Sequence, residues 1–185
     1  MHGRTMRDHN WRKGGYGTLT VSEILEQSSN IGVSRLIDRA YHNSPQKYVD
    51  GLKDLGVGVP LDLPFVGKGE PIIPQPNSKK RYWSKTDLAW MSIGYVTQLT
   101  PIHTLTFYNG IANNGRMVKP RFVKAEKDNG IIVREFPTEV IREKMCSQHT
   151  LDDIHDILEK VVSKGLGKRA GNGGQLFKVS GKNGT

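Results

Sequence analysis

The chain has 185 residues, enough for one domain that would bury roughly 70 % of its unfolded surface. Its 27 Lys and Arg against 18 Asp and Glu give a net charge of +9, but the densest basic group, Lys79-Lys80-Arg81, is short and carries no nucleic-acid-binding signature. A solvated basic surface is expected and nucleic acid is excluded as a partner, while the single Cys146 excludes an internal disulfide and a multi-cysteine zinc site.

In chain order, Thr20-Val21-Ser22-Glu23 is a capping box that opens a short helix through residue 27. After Ser28-Ser29-Asn30, the spacing of Ile31, Val33, Leu36, Ile37 and Ala40 predicts a second helix. Ser44-Pro45 opens a third, which ends at Gly56. Residues 56–83 hold five prolines and four glycines without a sustained period, the signature of a long irregular connection. Ser84 is expected to cap a short helix through Met91, and Thr100-Pro101 to start a longer one closed by Asn113-Asn114-Gly115. Residues 121–136 read as a hairpin turning at Asp128-Asn129-Gly130. Thr150-Leu151-Asp152-Asp153 is expected to cap the last helix, whose apolar face is Ile154, Ile157, Leu158, Val161 and Val162. A strand over 175–180 then runs into Gly181-Lys182-Asn183-Gly184-Thr185. Many helices, few strands and an unpaired terminal strand describe an incomplete α+β domain.

The terminal Gly-Lys pair is not a nucleotide-binding loop. That loop needs a Gly five positions before Gly181 and a hydroxyl residue after Lys182, and Leu176 and Asn183 stand there instead. Ser28-Ser29-Asn30 alone is an ordinary helix break. Paired with a distant Lys-x-Gly-Thr it assembles a hydroxyl, an amide, a cation and a second hydroxyl, the set an acyl-transfer site for a carboxylate-bearing peptide needs. Ser44-Pro45-Gln46-Lys47 is the one Ser-x-x-Lys match, and is better explained as a helix cap than as a nucleophile. His149, Asp152, Asp153, His155 and Asp156 read as a polar helix face rather than a metal site, so neither metal nor cofactor is expected. The Gly-x-Gly-x-x-Ala run at 165–170 follows a helix and reads as its C-cap. Trp83 and Trp90 beside Tyr82 read as core or groove lining.

Four stretches in order carry a family resemblance. "YGTLTVSEILEQSSNIGVSRL" resembles the Ser-x-Asn region of class B penicillin-binding proteins, the peptidoglycan D,D-transpeptidases. "MSIGYVTQLTPIHTLTFYNGIANNGRMVKPRFVK" is similar to their central segment, "VVSKGLGKRA" to the segment before their last motif, and "SGKNGT" stands where they have Gly-Lys-Thr-Gly-Thr. The resemblance implies an incomplete penicillin-binding, serine β-lactamase-like transpeptidase domain over residues 1–185: most of its helical subdomain plus the strand carrying Lys-x-Gly-Thr. The nucleophile region would lie upstream and the last sheet strands downstream, so the isolated chain is expected to be inactive.

It further implies a serine acyl-enzyme that cross-links peptidoglycan stem peptides ending in D-Ala-D-Ala and is acylated by β-lactams. Ser28 would shuttle protons and Lys182 supply positive potential, with Asn30, Asn183, Gly184 and Thr185 on the substrate. In a strand, the side chain of Asn183 would point away from those of Lys182 and Gly184, which places the effect of its replacing the usual hydroxyl residue on packing. The parent would be anchored in the bacterial inner membrane, face the periplasm and have cell-division or elongation proteins as partners. The alternative is a non-catalytic relative that binds peptidoglycan or a divisome partner, or senses β-lactams.

Overall fold

The computed structural model describes residues 2–65, 69–79, 81–170 and 177–184. They form two compact units. The first comprises Met1–Asp50, Ile73–Thr97 and Asp152–Thr185, and the second Gly51–Ile72 and Gln98–Leu151.

The first unit is helical. Helix α1 (Val21–Glu26) starts from the expected capping box: the Glu23 amide donates to Thr20 Oγ1 at 3.3 Å, and the Thr20 amide donates back to Glu23 Oε2 at 2.8 Å. Helix α2 (Asn30–Tyr41) follows almost at once, and α3 (Pro45–Asp54) begins on its proline as the sequence predicts. Helix α4 (Asp87–Met91) starts two residues later than expected, with Thr86 rather than Ser84 at the cap position. Ser84 is not its cap. The Asp87 carboxylate instead reaches back to accept from Ser84 Oγ at 2.6 Å and from the Ser84 amide at 3.2 Å, which holds 84–86 in a turn ahead of the helix.

Helices α2 and α4 pack through a polar peg. Ser34 is fully buried, and its hydroxyl donates to the Ala89 carbonyl at 3.0 Å. In this unit Ile24, Val49, Leu88, Ala89, Met91, Leu158, Val161 and Val162 are buried, a set of aliphatic and thioether side chains. Trp83 and Trp90 are half-buried, whereas Tyr82 is 84 % exposed and lines nothing.

In the second unit, α5 (Pro101–Ala112) carries its proline in the first turn and ends through Asn114 and Gly115, both at left-handed φ. Strands β2 (Ala125–Asp128) and β3 (Ile131–Glu135) form the expected hairpin. Asn129 and Gly130 are its two loop residues, with φ of 47° and 86°, the primed turn that matches strand twist. A second antiparallel pair, β1 (Met117–Val118) with β4 (Val140–Arg142), has no expectation behind it in the sequence. Met117 is fully buried there, with Ile111, Met145 and Leu151 also in this unit's core.

Helix α6 (Gln148–Ser163) begins earlier than expected, because Ser147 rather than Thr150 caps it: Ser147 Oγ accepts from the Thr150 amide at 3.1 Å. Leu151 joins Leu158, Val161 and Val162 as buried members of its apolar face. The expected terminal strand falls partly outside the described residues. Its described part, 177–180, is not in a ladder, since strand pairing needs a neighbouring backbone and what lies beside it is a helix. Its tether is the Gly181 amide, which donates to the Leu158 carbonyl of α6 at 3.1 Å.

Gly32 sets the approach of α1 to α2. A Cβ there would come within 2.7 Å of Cγ1 and 2.8 Å of Cγ2 of the buried Ile24. Gly32→Ala should therefore destabilise the protein by about 1–3 kcal/mol through overpacking, read as a lower urea midpoint at unchanged slope. An unchanged midpoint would show that Ile24 repacks freely.

Candidate active site

The site grows from the three residues between α1 and α2. Helix α1 ends when the Ser28 amide donates to the Leu25 carbonyl at 3.2 Å and the Ser29 amide to the Ile24 carbonyl at 2.9 Å. This pair of bonds is a Schellman motif with Ser28 at the position glycine usually holds. Ser28 accordingly has φ of 48°, a left-handed conformation that costs a non-glycine residue about 1 kcal/mol. Two residues on, Asn30 is the first residue of α2, and Ser29 is its N-cap, accepting from the Gly32 amide at 3.0 Å. The Ser-x-Asn motif is thus the splice between a C-cap and an N-cap.

Lys182 arrives at this splice from the other end of the chain. Its Nζ donates to Ser28 Oγ, to the Asn183 carbonyl at 3.0 Å and to Asn183 Oδ1 at 3.1 Å. Ser28 Oγ donates to the same Asn183 Oδ1 at 2.9 Å. All three ammonium protons therefore go to neutral oxygens, and burial lowers the Lys182 pKa below the ordinary lysine value.

Of the residues singled out from the sequence, Ser28, Lys182 and Asn183 meet directly. Asn30 is half-buried beside them at the head of α2, Gly184 follows exposed, and Thr185 lies outside the described residues. The packing role expected for Asn183 is corrected: outside a ladder the strict alternation of side chains is lost, and its amide oxygen turns onto Ser28 and Lys182. Ser44 stands just before α3, at the far end of α2 from Ser28. Twelve helical residues span about 18 Å, well beyond the reach of a shared active site.

Two features escaped the sequence reading. Asp8 is buried at 6 % exposure, with Oδ2 accepting from Ser29 Oγ at 2.7 Å and Oδ1 from the Ile31 amide at 3.0 Å. The clue was negative: α2 has Gly32 where a capping box needs Glu or Gln, so part of its first turn must be capped from elsewhere. The second is a convergence of possible metal ligands at the C-terminal end of α2, where Asp38 Oδ1 lies 3.0 Å from His2 Nε2 and 3.5 Å from His42 Nδ1. Asp38 is eight residues along α2 from Asn30, about 12 Å of helix away from the Ser28 cluster.

All 185 residues match the family described as Transpeptidase, the penicillin-binding protein transpeptidase domain. The chain belongs to this family. Among curated relatives, the penicillin-binding protein PbpB of Mycolicibacterium smegmatis is 26 % identical over 100 % of the chain and 28 % of its own length. The peptidoglycan D,D-transpeptidase FtsI of Escherichia coli K12 is 30 % identical over 69 % of the chain and 20 % of its own length. The chain thus spans about a quarter of the relatives it matches. Among solved structures, penicillin-binding protein 2B of Streptococcus pneumoniae R6 shares the fold at a TM-score of 0.78 and 20 % identity, over 99 % of this chain and 33 % of that one. Penicillin-binding protein 3 of Mycobacterium tuberculosis, complexed with aztreonam, superposes at a TM-score of 0.68 and 26 % identity, over 88 % of this chain and 34 % of that one. The fold expected from the sequence, a partial transpeptidase domain rich in helices, is the fold found.

The left-handed backbone of Ser28 separates two substitutions that remove the same hydroxyl. Glycine adopts this φ without penalty, whereas alanine keeps a Cβ in the unfavourable region. In this transpeptidase domain Ser28→Gly should be more stable than Ser28→Ala by about 1 kcal/mol in chemical denaturation, and equal stabilities would mean that the turn relaxes.

Proposed function

We propose that the chain is part of a serine acyl-transferase that cross-links peptidoglycan stem peptides and is acylated by β-lactams. The observation that carries the reading is the contact of Lys182 Nζ with Ser28 Oγ, which joins the Ser-x-Asn turn to the Lys-x-Gly segment 154 residues away. A partly buried cation with only neutral acceptors is an anion seat, and the C-terminal carboxylate of a D-Ala-D-Ala stem, or the carboxylate of a penicillin, fits it.

In this reading the nucleophile is the serine of a Ser-x-x-Lys motif outside these 185 residues, since Ser44 stands about a helix length away. That serine would attack the carbonyl of the penultimate D-Ala, and the peptide bond breaks as the terminal D-Ala amine leaves. Ser28 Oγ, held by Lys182, would relay the proton to that amine, and Asn30 would orient the peptide from the head of α2. The amine of a second stem then attacks the acyl-enzyme, forming the cross-link and freeing the serine. Thr185 would take the substrate carboxylate beside Lys182. The parent would be anchored in the inner membrane with this domain in the periplasm and work with division or elongation proteins. Among the described residues no helix is long and apolar enough to cross a membrane.

The test is intact-mass analysis of the full-length protein, expressed from its native gene, after penicillin treatment. A single stoichiometric adduct on a serine outside residues 1–185 is expected. A well-folded protein without an adduct would favour a non-catalytic binding relative, and an adduct on Ser44 would overturn the site assignment.

Asn183 adds a quantitative expectation. Its Oδ1 occupies protons of both Ser28 and Lys182 that an incoming carboxylate needs, so a ligand must displace it. Asn183→Thr shortens this side chain and supplies a donor. It should raise the penicillin acylation efficiency by roughly tenfold, the equivalent of one charge-assisted hydrogen bond released to the ligand. Equal or lower efficiency would show that the amide yields without cost.

A further inference from the structure

The turn that carries Ser28 is held from two sides. On the side of α1 the Schellman bonds fix it. On the side of α2 the fixing groups are Ser29 and, from 21 and 23 residues away, Asp8. The first turn of a helix leaves backbone amides without internal partners, and here the Gly32 amide goes to Ser29 Oγ and the Ile31 amide to Asp8 Oδ1. The Ser29 hydroxyl uses its own proton on Asp8 Oδ2, so Asp8 ties backbone and side chain of two consecutive α2 amides into one cluster. A carboxylate at this end is also favoured by the helix dipole. Neighbouring groups close the cluster: Tyr16 Oη donates to the Gln27 carbonyl at 3.4 Å and lies 3.0 Å from His9 Nε2. Burial, and secondarily the charge of Asp8, raise the Tyr16 pKa above the ordinary phenol value.

A left-handed serine persists only where its surroundings over-determine it. Ser28 has a bonded backbone on both flanks, and Asp8 brings a buried carboxylate to the α2 side of the clamp from outside the two helices. We propose that Asp8 is a positioning residue for the acyl transfer: by fixing Ser29 and Ile31 it holds Ser28 in the conformation that presents its hydroxyl to Lys182 and Asn183. The proposal rests on the acyl-transfer reading for its kinetic consequence, while its geometric consequence stands apart from that reading.

A plain helix cap would stabilise α2 and leave chemistry to others; a positioning residue must act through Ser28. Asp8→Asn keeps an acceptor for the Ile31 amide but loses the charge and presents an amide to Ser29. In the full-length protein, binding and acylation by a fluorescent penicillin would be measured for Asp8→Asn, Ser28→Gly and the double variant. Asp8→Asn should lower the acylation rate constant on the order of 10- to 100-fold while the dissociation constant moves far less, as expected for a misplaced reacting group. Combined with Ser28→Gly it should cost nothing further, since the hydroxyl it positions is already gone.

Two results would overturn the proposal. One is a double variant whose loss is the product of the single losses. The other is a rate loss no larger than that of Ser147→Ala, a cap removal on α6, compared at an equal drop in melting temperature. If Asp8→Asn does not fold, Ser29→Ala removes the hydroxyl through which Asp8 Oδ2 acts and should show the same rate loss and the same coupling to Ser28; independence from Ser28 would overturn the proposal. If the wild-type protein is not acylated at all, the functional reading fails. Crystal structures of the wild type and Asp8→Asn then decide the geometric claim. It stands if Ser28 leaves the left-handed region and loses Lys182, and falls if both are unchanged.

Discussion

Helix α1 must end and helix α2 must begin within three residues, and this constraint shapes everything around Ser28. Two helices that meet so abruptly leave carbonyls on one side and amides on the other that water cannot reach freely. The chain answers with a Schellman closure into Ser28 and Ser29, a serine cap on Gly32 and a buried Asp8 on Ile31. Gly32 then lets Ile24 lie against α2. Each device is ordinary, but their coincidence forces one side chain into an unusual backbone conformation, and that side chain is the one Lys182 touches.

The electrostatics follow from the same geometry. Lys182 is partly withdrawn from water, and the oxygens that greet it are neutral, so its positive potential is left for an incoming group rather than cancelled by a carboxylate. Asn183 is the interim occupant. Its side chain satisfies the ammonium and the Ser28 hydroxyl together, keeping the pair ordered while engaging the protons a substrate carboxylate would use.

What could be read from the sequence divides by the range of the interaction that decides it. Thr20 with Glu23, Pro45, Pro101 and Asn129-Gly130 act on neighbours a few residues away, and the elements they mark are present. The starts of α4 and α6 slipped because a competing local bond won, from Ser84 to Asp87 and from Thr150 to Ser147. The β1–β4 pair joins residues more than twenty positions apart with strands of two and three residues, too short for any alternation to register. Asp8 acts at a similar separation and was invisible for the same reason. The meeting of Ser28 with Lys182 was legible only because both motifs were recognised together, not because either segment announces the other. The orientation of Asn183 was missed by assuming strand alternation in a segment that has no ladder.

The backbone at position 28 has a consequence over evolutionary time. Glycine satisfies it without strain, so a lineage released from the need for this hydroxyl would gain stability by drifting to glycine there, through a change of one or two nucleotides. Under the proposed acyl-transfer role, serine at 28 in a left-handed turn would be retained against the thermodynamic gradient. In descendants of this domain, that single position would register the loss of the hydroxyl's purpose before the fold changed at all.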